Sequence, residues 1–225
     1  MGQPVSEGLA RHPRLLRLHA LVLPSLPAGE LAHDVLHLER VTRWAMRLAP
    51  EAGVDIELAG ATALVHDLVF VPKDGADRAT GGERSAAAAP AVLAAAGFAA
   101  EEIALITEAV RTSSWSRGLA PTGPLGRVLH DADRLDAIGA LGLLRTVACG
   151  QFMSRPDRPG RFYDPADPLA HDGRALDDRC QCLDHLPAKL LKLAAGMHTQ
   201  TAQLEAARRH AFLLAFLTQI EAELG

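Results

Sequence analysis

Cysteine is scarce: Cys149, Cys180 and Cys182 are the only three in a chain of 225 residues. Three thiols build no disulfide framework, and Cys-x-Cys at 180–182 is not the spacing of a zinc knuckle, so they read as reduced thiols of a cytoplasmic protein. Lysine is as rare, since only Lys73, Lys189 and Lys192 occur among 23 basic residues. With 27 acidic residues and a formal net charge of −4, the chain lacks the basic surface of a general nucleic-acid binder. Its many arginines suit local anion clamps instead. No apolar run approaches the roughly eighteen residues that span a bilayer, and "LHALVL" is too short and interrupted for a signal peptide, so no membrane association is expected. The opening "MGQPVS" matches the N-myristoylation pattern, but the Arg-, Ala- and Pro-rich, Lys-poor composition reads as bacterial and takes the force from that match.

Strand-like alternation is nearly absent too, and helical periodicity takes its place along almost the whole chain. The expected fold class is all-α. A hydrophobic content of 48% with no shift in composition suits one domain over residues 1–225. Helices are expected over about 32–48, ended by Pro50, and from an N-capping Asp55 through Leu68, ended by Pro72. Others are expected over 83–96, over 99–111, and over 126–144 as a pair meeting near Gly139. Residues 153–181 hold four prolines and almost no apolar periodicity; a loop that long is usually a functional lid or wall, or else disordered. A long C-terminal helix over about 199–224 is expected to bury Leu213, Phe216, Leu217, Ile220 and Leu224. The segment 183–225 is expected to pack on a core of about 32–145.

The chain spells His-Asp four times, at His33-Asp34, His66-Asp67, His130-Asp131 and His171-Asp172, where random order of its 10 histidines and 15 aspartates gives fewer than one such pair. His33 and His37 stand at helical i, i+4 spacing beside an inward-facing stripe. His66-Asp67 lies in the apolar run "ALVHDLVF", where an unpaired buried carboxylate is costly enough to take up a proton or a cation. Asp131, Asp133 and Asp136 of "LHDADRLDAIGA" supply further carboxylates. Two imidazoles and two carboxylates make a mixed nitrogen and oxygen set suited to first-row divalent metals, and such an ion assists hydrolysis at phosphorus. Taken singly, a buried histidine or aspartate is more often a hydrogen-bonded core side chain than a ligand, and Asp131 and Asp136 can also be helix-surface acids paired with Arg127 and Arg134.

The motifs "HLERV", "LVHDLV" and "DADRLDAIG", in this order, resemble the His…His-Asp…Asp signature of the HD-domain metal-dependent phosphohydrolase superfamily. More closely, the chain resembles a bacterial subgroup of uncharacterised HD hydrolases that read "HDxxHxxRV", then "HD" before a Pro-Lys or Ala-Lys turn, then "DADRLDAIGAIG", and late on "DHFxxKLLKL". The resemblance implies a single all-helical HD domain holding one divalent ion (Mn, Fe, Co, Ni, Zn or Mg), with His37, His66, Asp67 and Asp133 as ligands. It places His33 beside the site and makes Asp131 and Asp136 candidates for orienting ligands or water. One departure is Ser113, where the relatives carry a histidine; this favours a mononuclear or weakened site.

The implied function is a metal-dependent phosphohydrolase acting on a small phosphorylated molecule, a nucleotide or phosphomonoester. Asp67 or Asp131 is expected to take a proton, and Lys73 to offset charge on the phosphoryl oxygens. Lys73, Arg78 and Arg84, just after the His-Asp pair and near a helix N-terminus, are expected to cradle phosphate, with His33, His185 and Lys189 as further substrate contacts. The alternative is a metal-containing nucleotide-binding or regulatory module without turnover. A di-iron oxygenase needs more histidines mid-chain than are present, and a purely structural helical protein needs no metal at all.

Overall fold

The computed structural model describes residues 8–75, 77–114 and 117–225. The "MGQPVS" match therefore lies outside the described residues. Helices dominate; among the described residues the only β-pairings are isolated bridges at Arg155–Arg158 and Arg161–Gln181. No described helix is long and apolar enough to cross a membrane. The chain divides into two compact units, one comprising the chain up to Gly29 together with His33–Asp133, the other Glu30–Ala32 and Arg134–Gly225.

In the first unit, α1 (Pro13–Val22) begins on a proline, whose missing N–H costs nothing in the first helical turn. Two capped helices follow. Asp34 caps α2 (Val35–Leu48) by accepting from the His37 N–H, and Asp55 caps α3 (Ile56–Val65) by accepting from Glu57 and Leu58. Every α3 residue from Ala59 to Val65 is buried. This all-round apolar helix is the centre of the unit, with α1 and α2 packed on it. Gly60 lets α1 approach closely, since a Cβ there would lie 2.7 Å from Leu15 Cδ1. Next come α4 (Gly81–Ala96), which runs through Pro90, and α5 (Ala100–Arg111), packed on each other. Gly97 ends α4 in the left-handed region at φ 93°, and bonds from Gly97 and Phe98 back to Ala94 and Leu93 close a Schellman turn. Arg14 joins α1 to Glu57 and Glu102 at 2.6 and 2.7 Å.

Helix α6 spans Gly123–Asp136, and the longer segment of the second unit begins within its last turn, at Arg134. In that unit α7 (Gly139–Met153) packs against α8 (Gln200–Leu224). The break between α6 and α7 needs glycine twice: Gly139 has φ +82°, and a Cβ on Gly142 would collide with the Ala137 carbonyl. Gly142→Ala is therefore expected to cost about 1–3 kcal/mol, the usual range for overpacking, read as a lower urea midpoint at unchanged m-value.

The stripe expected on α8 holds only at Leu213, together with Ala202 and Ala206. Phe216, Leu217 and Ile220 are half-buried and Leu224 is exposed. Close packing of small residues in the first half of the helix, rather than a leucine seam along its length, seats it.

The long loop is neither helical nor loose. Arg161 exchanges backbone bonds with Cys180 and Cys182 at 2.7 and 2.9 Å, and Leu183 N–H reaches the Phe162 carbonyl at 2.8 Å. Asp167 accepts from the His171 and Asp172 N–H groups. Buried Asp184 accepts from both terminal nitrogens of Arg174 at 2.7 and 2.6 Å and from Asp177 N–H at 2.7 Å. A chain poor in apolar side chains is here ordered by polar anchors.

Candidate metal centre

The site grows from three helix termini and turns. His33 precedes Asp34 rather than sharing a helix with His37, because the Asp34 cap starts α2 at Val35. The second residue of this first His-Asp pair is thus a capping group that accepts the His37 N–H at 2.9 Å. His37 falls in the first turn of α2 and is buried. Helix α3 stops earlier than its apolar pattern suggests: His66 is its C-cap, and Leu68 N–H turns back to the Val65 carbonyl. Asp67 therefore leaves the helix, which removes the difficulty that neighbouring helical side chains diverge by about 100°. Ser85 of α4 holds the following segment through Val69 N–H at 3.1 Å.

These turns bring His37, His66 and Asp133 together, with one potential ligand atom of each lying within 4.8 Å of the others. Asp133 Oδ1 is 3.9 Å from both imidazole Nε2 atoms. Asp67 Oδ2 is 3.5 Å from His66 Nε2 and 3.8 Å from His37 Nε2. Ligand atoms at about 2.1 Å from a common ion stand roughly 3.0–3.4 Å apart, so closing the 3.9 Å separations around an ion takes a contraction of roughly 0.5–0.9 Å. The imidazoles are 2% and 3% exposed, and the Asp67 and Asp133 side chains 31% and 37%. The nitrogen side is closed and the carboxylate side is reached by solvent.

The tautomer of His66 follows from its neighbour. Nδ1 lies 2.7 Å from the Ala63 carbonyl, which can only accept, so Nδ1 carries the proton. Nε2 is buried with no hydrogen-bond partner; it offers either a lone pair to a cation or, when protonated, a positive charge to Asp67. Facing a carboxylate oxygen, that atom requires a positive charge between them, a proton or a metal cation. Burial opposes ionisation of Asp67, but His66, the adjoining His37 ring and the charges of Lys73 and His33 outweigh it and hold the carboxylate well below its usual range. The donor set fits a divalent ion.

The other expected residues separate by position. The His33 ring stands edge-on to His37 at 5.7 Å and contacts Phe70 at 5.9 Å, a neighbour the sequence pattern did not single out. Lys73 is half-buried and acts electrostatically on Asp67, whereas Arg78 and Arg84 are exposed. Asp131 is fully buried and lies about 200° round α6 from Asp133. Asp136 pairs with Arg145 at 3.1 Å. His185 and Lys189 belong to the second unit, where His185 binds Asp178 of the long loop at 2.9 Å. Ser113 donates its hydroxyl to the Val110 carbonyl.

An all-helical fold that gathers His…His-Asp…Asp from three elements defines a class, and the chain belongs to the HD-domain family, whose model matches residues 35–138. The uncharacterized protein YpgQ of Bacillus subtilis is 30% identical over 196 residues, covering 85% of this chain and 84% of its own length. A Lactobacillus plantarum structure superposes with TM-score 0.74 at 30% identity, over 94% of this chain and 97% of that one. YpgQ in complex with ADP superposes with TM-score 0.64 at 26% identity, over 93% and 97%. An HD-superfamily hydrolase from Bacillus thuringiensis does so with TM-score 0.63 at 26% identity, over 98% of both chains.

Proposed function

We propose that the protein is a divalent-metal-dependent phosphohydrolase acting on a small phosphorylated molecule, with nucleotides the first class to try. The observation that carries this reading is the buried His66 Nε2, without a hydrogen-bond partner and set opposite Asp67, with His37 and Asp133 alongside. The ADP bound by YpgQ supports the nucleotide choice. His37, His66, Asp67 and Asp133 would hold the ion. When bound, a divalent ion lowers the pKa of water from about 15.7 to about 7 and polarises a phosphoryl oxygen.

The chain's own residues supply the rest. Asp67, held ionised, is positioned to take a proton on its solvent-reached side. Lys73 brings positive charge to the same carboxylate and offsets charge developing on phosphoryl oxygens. His33, backed by Phe70, forms a wall next to His37 and orients the substrate. Cytoplasmic residence, in keeping with three free thiols, is part of the same proposal.

Metal analysis followed by a phosphatase panel with Mn²⁺ or Ni²⁺ tests this reading. Bound metal and metal-stimulated phosphate or pyrophosphate release from a nucleotide are expected; a metal-free protein inert on every substrate would overturn it. Lys73→Ala is expected to lower kcat/KM about 10- to 100-fold with metal content unchanged, because one charge stabilising the transition state is worth roughly 1.4–2.7 kcal/mol. A second reading, a nucleotide-binding regulatory module, is favoured by Ser113, whose hydroxyl is spent on a backbone carbonyl where a further ligand is expected. Tight nucleotide binding without turnover would select it.

A further inference from the structure

Arg145 of α7 makes two bonds that have no part in the packing of apolar side chains. Its Nε donates to the Ala32 carbonyl at 2.7 Å, and its terminal nitrogen lies 3.1 Å from Asp136 Oδ2. Both side chains are withdrawn from water, at 14% and 1% exposure. The segment it grips is further closed by Glu30, itself buried, which accepts from Ala32 N–H at 2.9 Å. All these residues belong to the second unit. Each gripped point nevertheless continues directly, along the chain, into a ligand-bearing stretch. Ala32 is followed by His33 and by the Asp34 cap that sets His37, and Asp136 stands on α6 one turn after Asp133.

A guanidinium is the group for this task. Its planar fork donates in two directions at once, whereas an ammonium on a flexible stem is a point charge that does not hold both acceptors at the same fixed angle. The bond to a backbone carbonyl carries no information about apolar packing and much about where the chain enters α2. An ionised buried Asp136 without this partner would be costly, so the pair is held as a unit.

We propose that Arg145, through Asp136 and the Ala32 carbonyl, is a positioning residue for the metal centre, fixing the chain entry that presents His37 and the helix turn that presents Asp133. The inference rests on the metal-dependent reading of that centre. Residues that orient metal ligands from outside the coordination sphere typically change metal affinity about 10- to 100-fold when replaced.

The test is titration of the purified full chain with Co²⁺, following both affinity and the visible d–d spectrum, for wild type, Arg145→Ala and Arg145→Lys, with circular dichroism and melting recorded for each. Arg145→Ala is expected to weaken Co²⁺ binding about 10- to 100-fold and to change the band shape. Arg145→Lys, which keeps the charge near Asp136 but not the fixed fork, is expected to weaken it about tenfold, and it remains readable should the alanine variant fold poorly. Arg174→Ala, destabilising through the long loop alone, is expected to leave Co²⁺ affinity and spectrum as in wild type. Wild-type affinity and spectrum in both Arg145 variants would overturn the inference while leaving the metal reading intact. A wild type that binds no Co²⁺ would overturn both.

Discussion

Replacing His66 with alanine is expected to empty the metal centre and to lower metal-dependent phosphate release by roughly 10³-fold or more, because the Lewis-acid contribution is worth several kcal/mol. His66 supplies a buried nitrogen whose other face is already committed to the Ala63 carbonyl. No nearby group can take its place without breaking that turn. The fold itself is expected to survive. The lost bond to Ala63 is worth about 0.5–1.5 kcal/mol, and α3 up to Val65 keeps its buried apolar face. Elemental analysis should find metal in the wild type and none in His66→Ala, with helical circular dichroism unchanged. His33→Ala serves as the contrast: it should retain metal and lose affinity for substrate. Equal metal content in wild type and His66→Ala would sink the metal assignment and return His66 to the status of a core histidine.

The second large effect lies far along the chain. Arg174→Ala should destabilise the protein by about 3 kcal/mol, toward the low end of the range for breaking a buried ion pair. Asp184 is 1% exposed and the Arg174 side chain 19%, so water can relieve only part of the penalty once the guanidinium is gone. Two bonds at 2.7 and 2.6 Å disappear, and among the bonds described above only that from Asp177 N–H remains. The same hydrogen bond raises the Arg174 pKa against the opposing effect of its burial. Urea unfolding gives the loss, and limited proteolysis should reveal new cleavage within 154–181, where a segment poor in apolar contacts depends on its polar anchors. A change below about 1 kcal/mol with no new cleavage would show that the backbone bonds around Arg161 and Phe162 hold the loop alone.

Much of the helical layout was legible because amphipathic periodicity and capping chemistry are local. Asp55, the break at Gly139 and the segment 100–111 stand where their signals put them. The ends were less so. Apolar residues continue past Val65, so the pattern alone carries the helix through Asp67; the chain instead turns at His66, and Ser85, far along in sequence, holds the segment that follows. Asp34, expected only to sit beside the site, is the cap of α2, a role its residue type allows. The polar composition of 153–181 was equally compatible with disorder, because ion pairs between distant residues leave no periodic trace.

By itself the sequence determined an all-helical chain and the residue types from which a mixed imidazole and carboxylate centre can be built, since propensity, caps and ligand chemistry belong to individual side chains. Only the tertiary structure decided which of the many His-Asp pairs meet and which aspartate of α6 faces them. Those are questions of distance and direction between segments: Asp131 and Asp133 differ by about 200° around one helix, a difference that acquires meaning only when His37 and His66 are brought to within 3.9 Å of the second.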